Sequence, residues 1–209
     1  INPLFARQKN GFWMKDRIVR AAEECFVEYG IKGTTMERIA EKMHVSKRTL
    51  YEFFPDEASL LRDCLKERME SSLAALRAEI ATSGSLESIL RINDSVFAFF
   101  ELPGPAARRE FARSVSVRRA LVEEYRKPLA DLMKRCLQQA KQDGFISADT
   151  DDDKVFVLFE TLPVTFPDTE TDAGVRYEAF AYAVRTCLAG ICTERGRSEL
   201  NKIINNDRK

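Results

Sequence analysis

Residues 34–61 constrain the fold of this chain more than any other stretch, because they spell two short helices separated by a tight turn. They read TTMERIAEKMHVSKRTLYEFFPDEASLL. Thr34, followed by Glu37 three residues later, has the pattern of a capping box and predicts a helix start. Apolar residues then recur at helical spacing, at Met36, Ile39, Ala40 and Met43. His44 follows at the predicted turn, where a short polar ring tolerates positive φ better than a β-branched residue does.

The second helix of this stretch carries the polar groups. Ser46 is expected to cap it, Pro55 to end it, and Leu50 and Phe54 to face inward. Its outward face groups two cations and two hydroxyls, at Lys47, Arg48, Thr49 and Tyr51. Two short helices, of which the second is basic and rich in hydroxyls, have the layout of a helix-turn-helix that reads DNA.

These side chains predict separate roles on double-stranded DNA. Lys47 and Arg48 can reach guanine edges or phosphates, and Thr49 can contact a thymine methyl group. Hydroxyls at helix starts and on the second helix suit phosphate oxygens, and these are Thr34, Thr35, Ser46 and Tyr51. A helical hairpin inside a core is the alternative interpretation, but it does not account for four polar side chains on one short helix.

The segment resembles the TetR/AcrR family of bacterial repressors over about residues 15–65. The resemblance is carried by Gly33-Thr34-Thr35, Ile39-Ala40, Val45-Ser46-Lys47-Arg48-Thr49-Leu50-Tyr51, Phe54 and Leu60-Leu61. It implies an all-α chain of about nine helices, with an N-terminal helix-turn-helix domain and a C-terminal helical domain for ligand sensing and dimerisation. Two positions depart from the family pattern: Phe53 stands where members usually carry His, and Glu57 where many carry a Lys that grips a phosphate.

The predicted organisation is a small DNA-binding head followed by a larger body. Residues 1–14 are expected to form a disordered extension, residues 15–61 the head and residues 62–209 the body. A helix over about residues 57–81 is too long for the head alone, so we expect it to connect the two. Other helices are predicted over residues 15–29, 86–101, 106–115, 118–142, 151–162 and 172–194.

Charge is balanced over the whole chain but not along it. Residues 1–55 hold 10 Lys+Arg against 7 Asp+Glu, a balance of +3, so the other residues hold 23 against 26, a balance of −3. A basic head predicts DNA contact there. Five cysteines at apolar helical positions, with no apolar run of membrane-span length, predict a reduced cytoplasmic protein without a membrane partner.

Aromatic residues are concentrated in the body, and the family resemblance implies that some of them line a pocket for a small, apolar effector. The candidates lie on the inner sides of predicted helices, at Phe97, Phe100, Tyr125, Leu129, Met133 and Phe159. Glu160 or Arg126 could add polarity to such a pocket. A filled core without a pocket is the competing interpretation.

The helices over 151–162 and 172–194 are apolar over more area than one partner helix covers, which predicts a homodimer surface. The candidate residues are Phe156, Ala179, Phe180, Ala183, Val184, Cys187 and Ile191. A two-fold dimer would match a palindromic operator, because each reading helix covers one half-site. The resemblance implies that an effector shifts the connecting helix and changes the spacing of the two heads.

No catalytic residue, metal or cofactor is predicted. His44 is the only histidine, and it lies in the head, away from any partner it could serve as a general base. Asp149, Asp151 and Asp153 imitate part of a calcium loop, but Lys154 stands where the loop requires Gly, and acidic residues are favoured at a helix start in any case.

Two other functional classes stay open at this point. One is an interaction module whose body binds a protein while the head tethers it to DNA. The other is an enzyme that lacks recognisable motifs.

Overall fold

The computed structural model describes the backbone of residues 3–100, 115–165 and 172–206, and the side chains of residues 13–99, 125–162 and 172–206. Its helices are α1 (Pro3–Gly33), α2 (Met36–Met43), α3 (Lys47–Tyr51), α4 (Glu57–Ile80), α5 (Ser85–Phe100), α6 (Val115–Gln142), α7 (Asp152–Thr165), α8 (Ala173–Ile191) and α9 (Glu194–Asn206). These ranges contain no strand, only an isolated bridge between Ile146 and Cys192. The all-α class is confirmed. Apart from residue 115, the helix predicted over 106–115 falls outside the described residues.

The first helix begins earlier than predicted. α1 starts at Pro3, whereas the sequence predicted a disordered extension over residues 1–14 and a helix from Lys15. Pro is tolerated in the first turn of a helix, where its missing N–H would have no partner, and Gly11 is the only strong helix breaker before Lys15. Gly30 interrupts α1 with a φ of 75°, as expected of a glycine that ends a helix.

The last part of the chain holds a helix that the sequence analysis did not resolve. The helix predicted to continue to residue 194 ends at Ile191, because Cys192 is extended and pairs with Ile146. The Thr193 hydroxyl then accepts a hydrogen bond from the Gly196 N–H at 3.0 Å, which starts α9 as a helix cap does. Leu200 anchors α9 in the core of the body.

The chain divides into two compact units, with one boundary inside α4, between Glu70 and Ser71, and another inside α6, between Leu121 and Val122. The first unit contains the helix-turn-helix. Its core joins α1, α2, α3 and the start of α4 through buried Ile18, Ala22, Cys25, Met36, Ile39, Leu50, Phe54, Leu60 and Cys64. This core fixes α2 and α3 from behind and leaves their polar faces outward.

The second unit contains the later part of α4, α5, α6 from Val122, and α7 to α9. Its core is rich in aromatic side chains. The Phe97 ring of α5 stacks on the Phe180 ring of α8 with centroids 4.7 Å apart, and meets the Tyr177 ring edge-on at 5.5 Å. All five cysteines are free thiols.

Candidate nucleic-acid interface

The sequence predicted that Thr34 caps the start of α2, but the cap is Thr35. The Thr35 hydroxyl accepts a hydrogen bond from the Arg38 N–H at 3.3 Å. Thr34 is only 4% exposed, and its hydroxyl donates to the Gly30 carbonyl at 2.7 Å. The sequence pattern of a helix cap fits either of these adjacent threonines. Thr35 is the cap because Thr34 is buried and its hydroxyl is bonded to Gly30.

The turn between α2 and α3 has the predicted geometry. His44 lies in the left-handed region, with φ of 55° and ψ of 43°. Its N–H donates to the Glu41 carbonyl at 3.1 Å, and the Val45 N–H donates to the Ala40 carbonyl at 3.0 Å. These bonds satisfy the last carbonyls of α2 and turn the chain sharply into α3.

Helix α3 presents its polar residues outward, as predicted. Ser46 caps it by accepting from the Thr49 N–H at 3.1 Å, and its hydroxyl is 2.9 Å from the Thr49 hydroxyl. Leu50 and Phe54 are buried beneath the helix. The Tyr51 ring is 51% exposed, so its hydroxyl is available to a partner outside the chain.

Both cations of α3 are paired with carboxylates of the same unit. The Lys47 ammonium forms an ion pair with Glu37 of α2. Arg48 lies 3.7 Å from Glu52, the residue that directly follows α3, and its side chain is 91% exposed. The sequence predicted the cations but not their partners, because the Lys47 pair depends on how α2 and α3 pack.

Two carboxylates lie at the beginning of α4. Asp56 Oδ1 accepts from the Ser59 N–H at 2.6 Å, while the Asp56 N–H donates to the Ser59 hydroxyl. The bond from the Ser59 N–H, followed by the interaction of the carboxylate with the Ser59 hydroxyl, lowers the pKa of Asp56 below its ordinary value. Glu57 Oε1 accepts from the Met36 N–H at 3.3 Å, so this carboxylate is directed to the start of α2.

A polar cleft of about 420 Å³ lies where α1 ends and α2 begins. It is lined by Lys32, Gly33, Thr35, Glu37, Arg38 and Glu41. Arg38 Nη1 donates to the Gly33 carbonyl at 2.6 Å, and its guanidinium lies 4.5 Å from the Tyr29 ring centroid. Neither Lys32, in the last turn of α1, nor Arg38, in the first turn of α2, was predicted from the sequence; a cation on each side of Thr35 was the signal that could have indicated them.

The arrangement is a short reading helix with hydroxyl and cationic groups, placed by a rigid core and a tight turn. Such a helix can enter a major groove, while hydroxyls and cations beside it contact phosphates.

Comparison with known proteins agrees with this geometry. The sequence profile described as bacterial regulatory proteins, tetR family, matches residues 18–64. The chain belongs to the TetR family. It is 26% identical to the HTH-type transcriptional regulator UidR of Escherichia coli K12 over 184 residues, 86% of this chain and 93% of that protein.

Solved structures extend the similarity to the whole fold. Salmonella enterica GusR is 26% identical with a TM-score of 0.62, over 84% of this chain and 93% of that one. A Saccharomonospora viridis protein solved in complex with choline shares the fold at 16% identity, with a TM-score of 0.67 over 87% and 98% of the two chains. This chain is therefore a TetR-family transcriptional regulator with a helix-turn-helix head.

Four of the six predicted ligand-binding residues meet in the packed core of the body. Phe97, Met133 and Phe159 belong to it, Leu129 packs against it, and Tyr125 is buried. Phe100 ends α5, and its side chain lies outside the described residues.

Arg126 and Glu160, the two alternatives for adding polarity to the predicted pocket, form an ion pair in the body. Arg126 Nε is 2.9 Å from Glu160 Oε1, and the guanidinium lies 5.3 Å from the Phe156 ring centroid. The pair links α6 to α7.

The predicted dimer residues fall on different sides of their helices. Phe156, Phe180 and Val184 are buried in the core of their own unit. Ala179 is exposed, whereas Ala183, Cys187 and Ile191 are half-buried. A partner subunit could reach Ala179, Ala183, Cys187 and Ile191. It could not reach Phe156, Phe180 and Val184 unless the core rearranged.

The acidic residues before α7 have structural partners. Asp151 accepts from the N–H groups of Asp153 and Lys154, each at 3.1 Å, which is how an acidic residue caps a helix start. Asp153 pairs with Lys134 at 2.7 Å. Among the described residues, no group of His, Cys, Asp and Glu side chains is arranged to hold a metal ion.

No described helix combines the length and the apolar composition that crossing a membrane would require.

Proposed function

We propose that this protein is a ligand-responsive repressor that binds a palindromic operator as a homodimer. The observation that carries the proposal is α3, which presents Lys47, Arg48 and Tyr51 outward over buried Leu50 and Phe54. Exposed cations and hydroxyls on a rigidly seated second helix are what direct readout in a major groove requires.

The proposed base contacts come from Lys47, Arg48 and Thr49, and the proposed phosphate contacts from residues around them. Thr35, Ser46 and Tyr51 supply hydroxyls. The buried Thr34 hydroxyl is already bonded to Gly30, so the proposal does not use it. Lys32 and Arg38 join the phosphate set, because they line the cleft next to Thr35 and cations there would gain from counterion release.

The proposed dimer surface is an exposed stripe along α8 with part of α7. Val175, Ala179, Tyr182 and Thr186 follow each other at intervals of three or four residues and are all exposed, so they share one side of α8. On α7, Val157 and Leu158 are also exposed. Large apolar residues on neighbouring outer faces favour a protein partner, and small Ala179 would let a second helix approach closely.

The proposed effector binds in the body and carries a hydrogen-bonding group together with an apolar part. Next to the Phe97–Phe180 stack, the Tyr177 hydroxyl lies 3.1 Å from Asp94 Oδ1, and Arg176 is buried one residue away. A buried guanidinium and half-buried polar groups beside aromatic rings suit such a ligand. The choline bound to the Saccharomonospora viridis protein supports a small-molecule effector in this fold.

The experiment that tests the proposed function is selection of bound duplexes from a random-sequence DNA library by the full chain. Enrichment of a palindrome bound by two chains supports the proposal, whereas binding without sequence preference overturns it. A panel of small molecules is then screened for release of the selected duplex. Tyr177→Phe should weaken the response to a releasing compound while it leaves binding to the selected duplex without that compound unchanged.

A further inference from the structure

We propose that Glu37 is a specificity-determining residue that acts through Lys47 and keeps this cation from binding phosphates at random. The inference rests on the proposed function, because it concerns how the reading helix distinguishes an operator from other DNA. The sequence of α3 alone does not indicate this role of Glu37.

The ion pair between Glu37 and Lys47 joins the two helices of the motif. Glu37 lies in the first turn of α2 and Lys47 is the first residue of α3, so the pair spans the turn at His44. The other cation of α3, Arg48, is more loosely held by Glu52, at 3.7 Å, and its side chain is almost fully solvated. Lys47 is therefore the cation whose position the protein itself constrains.

The chemistry of the ammonium group allows it to keep Glu37 while it reads a base. A lysine ammonium has three N–H donors. One donor satisfies Glu37, which leaves two for the O6 and N7 acceptors of a guanine. A phosphate, by contrast, would compete with Glu37 for the ammonium and would bring a second anion close to the carboxylate.

The charge of the motif strengthens this effect. Residues 34–57 contain four Lys+Arg and five Asp+Glu, a balance of −1. Although residues 1–55 carry a balance of +3, the carboxylates inside the motif offset its own cations, which lessens the non-specific attraction that depends on cations neutralising phosphates. With Glu37 present, Lys47 adds to sequence recognition more than to general affinity.

A matched ion pair elsewhere in the head provides the control. Lys42 of α2 pairs with Glu24 of α1 at 3.1 Å and with Glu28 at 3.6 Å. These pairs also join α2 to another helix, but they do not involve α3. Glu24→Gln therefore removes one carboxylate of the same kind without releasing a cation of the reading helix.

The test compares the wild type with Glu37→Gln, Lys47→Met, the double variant and Glu24→Gln. Each full-length chain is titrated against the duplex that the wild type selects and against a scrambled duplex of equal length, over a range of salt concentrations. Glu37→Gln should bind the scrambled duplex about two- to five-fold more tightly, the range that exposed ion pairs allow, and the selected duplex no more tightly than wild type does. Its salt slope on the scrambled duplex should steepen by about 0.9 as Lys47 gains a phosphate.

The double variant decides whether Glu37 acts through Lys47. In the Lys47→Met background, Glu37→Gln should leave the ratio of the two affinities unchanged, and Glu24→Gln should leave it unchanged in the wild-type background. Equal tightening on both duplexes, or an effect that persists without Lys47, would mean simple charge repulsion and overturns the inference. If the wild type selects a duplex but Glu37→Gln keeps the wild-type ratio, the inference alone fails; if the wild type selects none, the proposed function fails with it.

Discussion

The carboxylate of Glu57, in the first turn of α4, accepts a hydrogen bond from the backbone N–H of Met36, the first residue of α2, at 3.3 Å. One side chain therefore serves two helix starts. It places a negative charge at the positive end of α4, and it satisfies one of the N–H groups that α2 leaves free. The contact ties the beginning of the helix-turn-helix to the beginning of the connecting helix, within the head.

The first prediction concerns this contact. Glu57→Lys should lower the free energy of unfolding by about 1 kcal/mol, because it replaces a favourable charge at two helix starts with an unfavourable one. Glu57→Gln keeps an acceptor for Met36 and should cost less. Urea unfolding measures both variants. Wild-type stability in Glu57→Lys would show that the bond to Met36 contributes nothing.

The same variant tests whether Glu57 faces the DNA backbone. If the new ammonium of Glu57→Lys reaches one phosphate, the log–log salt slope should steepen by about 0.9, equally for selected and random duplexes, since a phosphate carries no base information. An unchanged slope would place Glu57 away from the backbone.

A second prediction separates DNA reading from folding on α3. Lys47→Ala and Tyr51→Phe change exposed groups, so each should alter stability by no more than about 0.5 kcal/mol while weakening binding to the selected duplex. Leu50→Ala is the contrasting variant. Leu50 is fully buried under α3, and its truncation should cost about 2–5 kcal/mol. If the variant with both Lys47 and Tyr51 replaced binds the selected duplex as tightly as the wild type does, α3 is not the helix that recognises the DNA sequence.

The head could be predicted from sequence because its signals are local. His44 adopts the expected left-handed conformation and Ser46 the expected cap, and both depend on neighbouring residues alone. The cap at Thr35 was misplaced by one residue because burial of Thr34 is a tertiary effect. The partners of Lys47 and Glu57 could not be predicted from the sequence either, since each contact depends on how two helices pack.

In the body, the end of α8 could not be predicted from the sequence for the same reason. Residues 191–193 contain no Gly or Pro that would indicate the end of a helix. Cys192 leaves the helix because it pairs with Ile146, which is distant in sequence. The core residues of α8 were recognisable from their spacing, but which apolar residues stay exposed follows only from packing against α5 and α7.

A third prediction tests the dimer surface. Tyr182 is 74% exposed on α8, and Tyr182→Glu would place a charge at the centre of the proposed stripe, so sedimentation should show monomers and weaker binding to the palindrome. Val27→Glu is the control, because Val27 is 52% exposed but lies on α1 of the head. An intact dimer in Tyr182→Glu would move the interface to another surface.

A fourth prediction concerns pH. Asp143 accepts hydrogen bonds from the Ser85 hydroxyl at 2.6 Å and from the Gln139 amide at 2.9 Å. The Ser85 bond is the main cause that lowers the pKa of Asp143 below its ordinary value of 3.8. Because the folded pKa is the lower one, this contribution to stability is fully present above the ordinary value and is lost as pH falls through the folded value.

Asp143→Asn therefore should unfold more easily than the wild type at pH 7, and the difference between them should shrink as the pH falls below 3.8. Thermal unfolding of both proteins, from pH 7 to below pH 3.8, measures this difference in stability. Asp149 has a lowered pKa too, so Asp149→Asn is measured alongside to separate the two groups. A difference that stays constant with pH would show that the Asp143 charge is not what stabilises the contact.

The last prediction concerns the close contact between α9 and the chain that follows α6. A Cβ atom added at Gly196 would lie 1.9 Å from the Phe145 carbonyl oxygen and 2.7 Å from its carbon. Both are backbone atoms, held by the bond from the Thr193 N–H to the same carbonyl at 2.9 Å, so they cannot rotate away as a side chain could. Gly196→Ala must displace α9, and we expect a loss of about 3 kcal/mol, at the upper end for overpacked sites.

Gly190→Ala is the matched control. An added Cβ there meets no atom within 4 Å, and Ala is the better helix former, so this variant should be as stable as the wild type or more stable by up to about 1 kcal/mol. Urea unfolding followed by circular dichroism compares the two. Because the Thr193 hydroxyl also accepts from the Gly196 N–H, Thr193→Val should lose part of the same stability. If Gly196→Ala matched Gly190→Ala, α9 would not be seated against Phe145 as described.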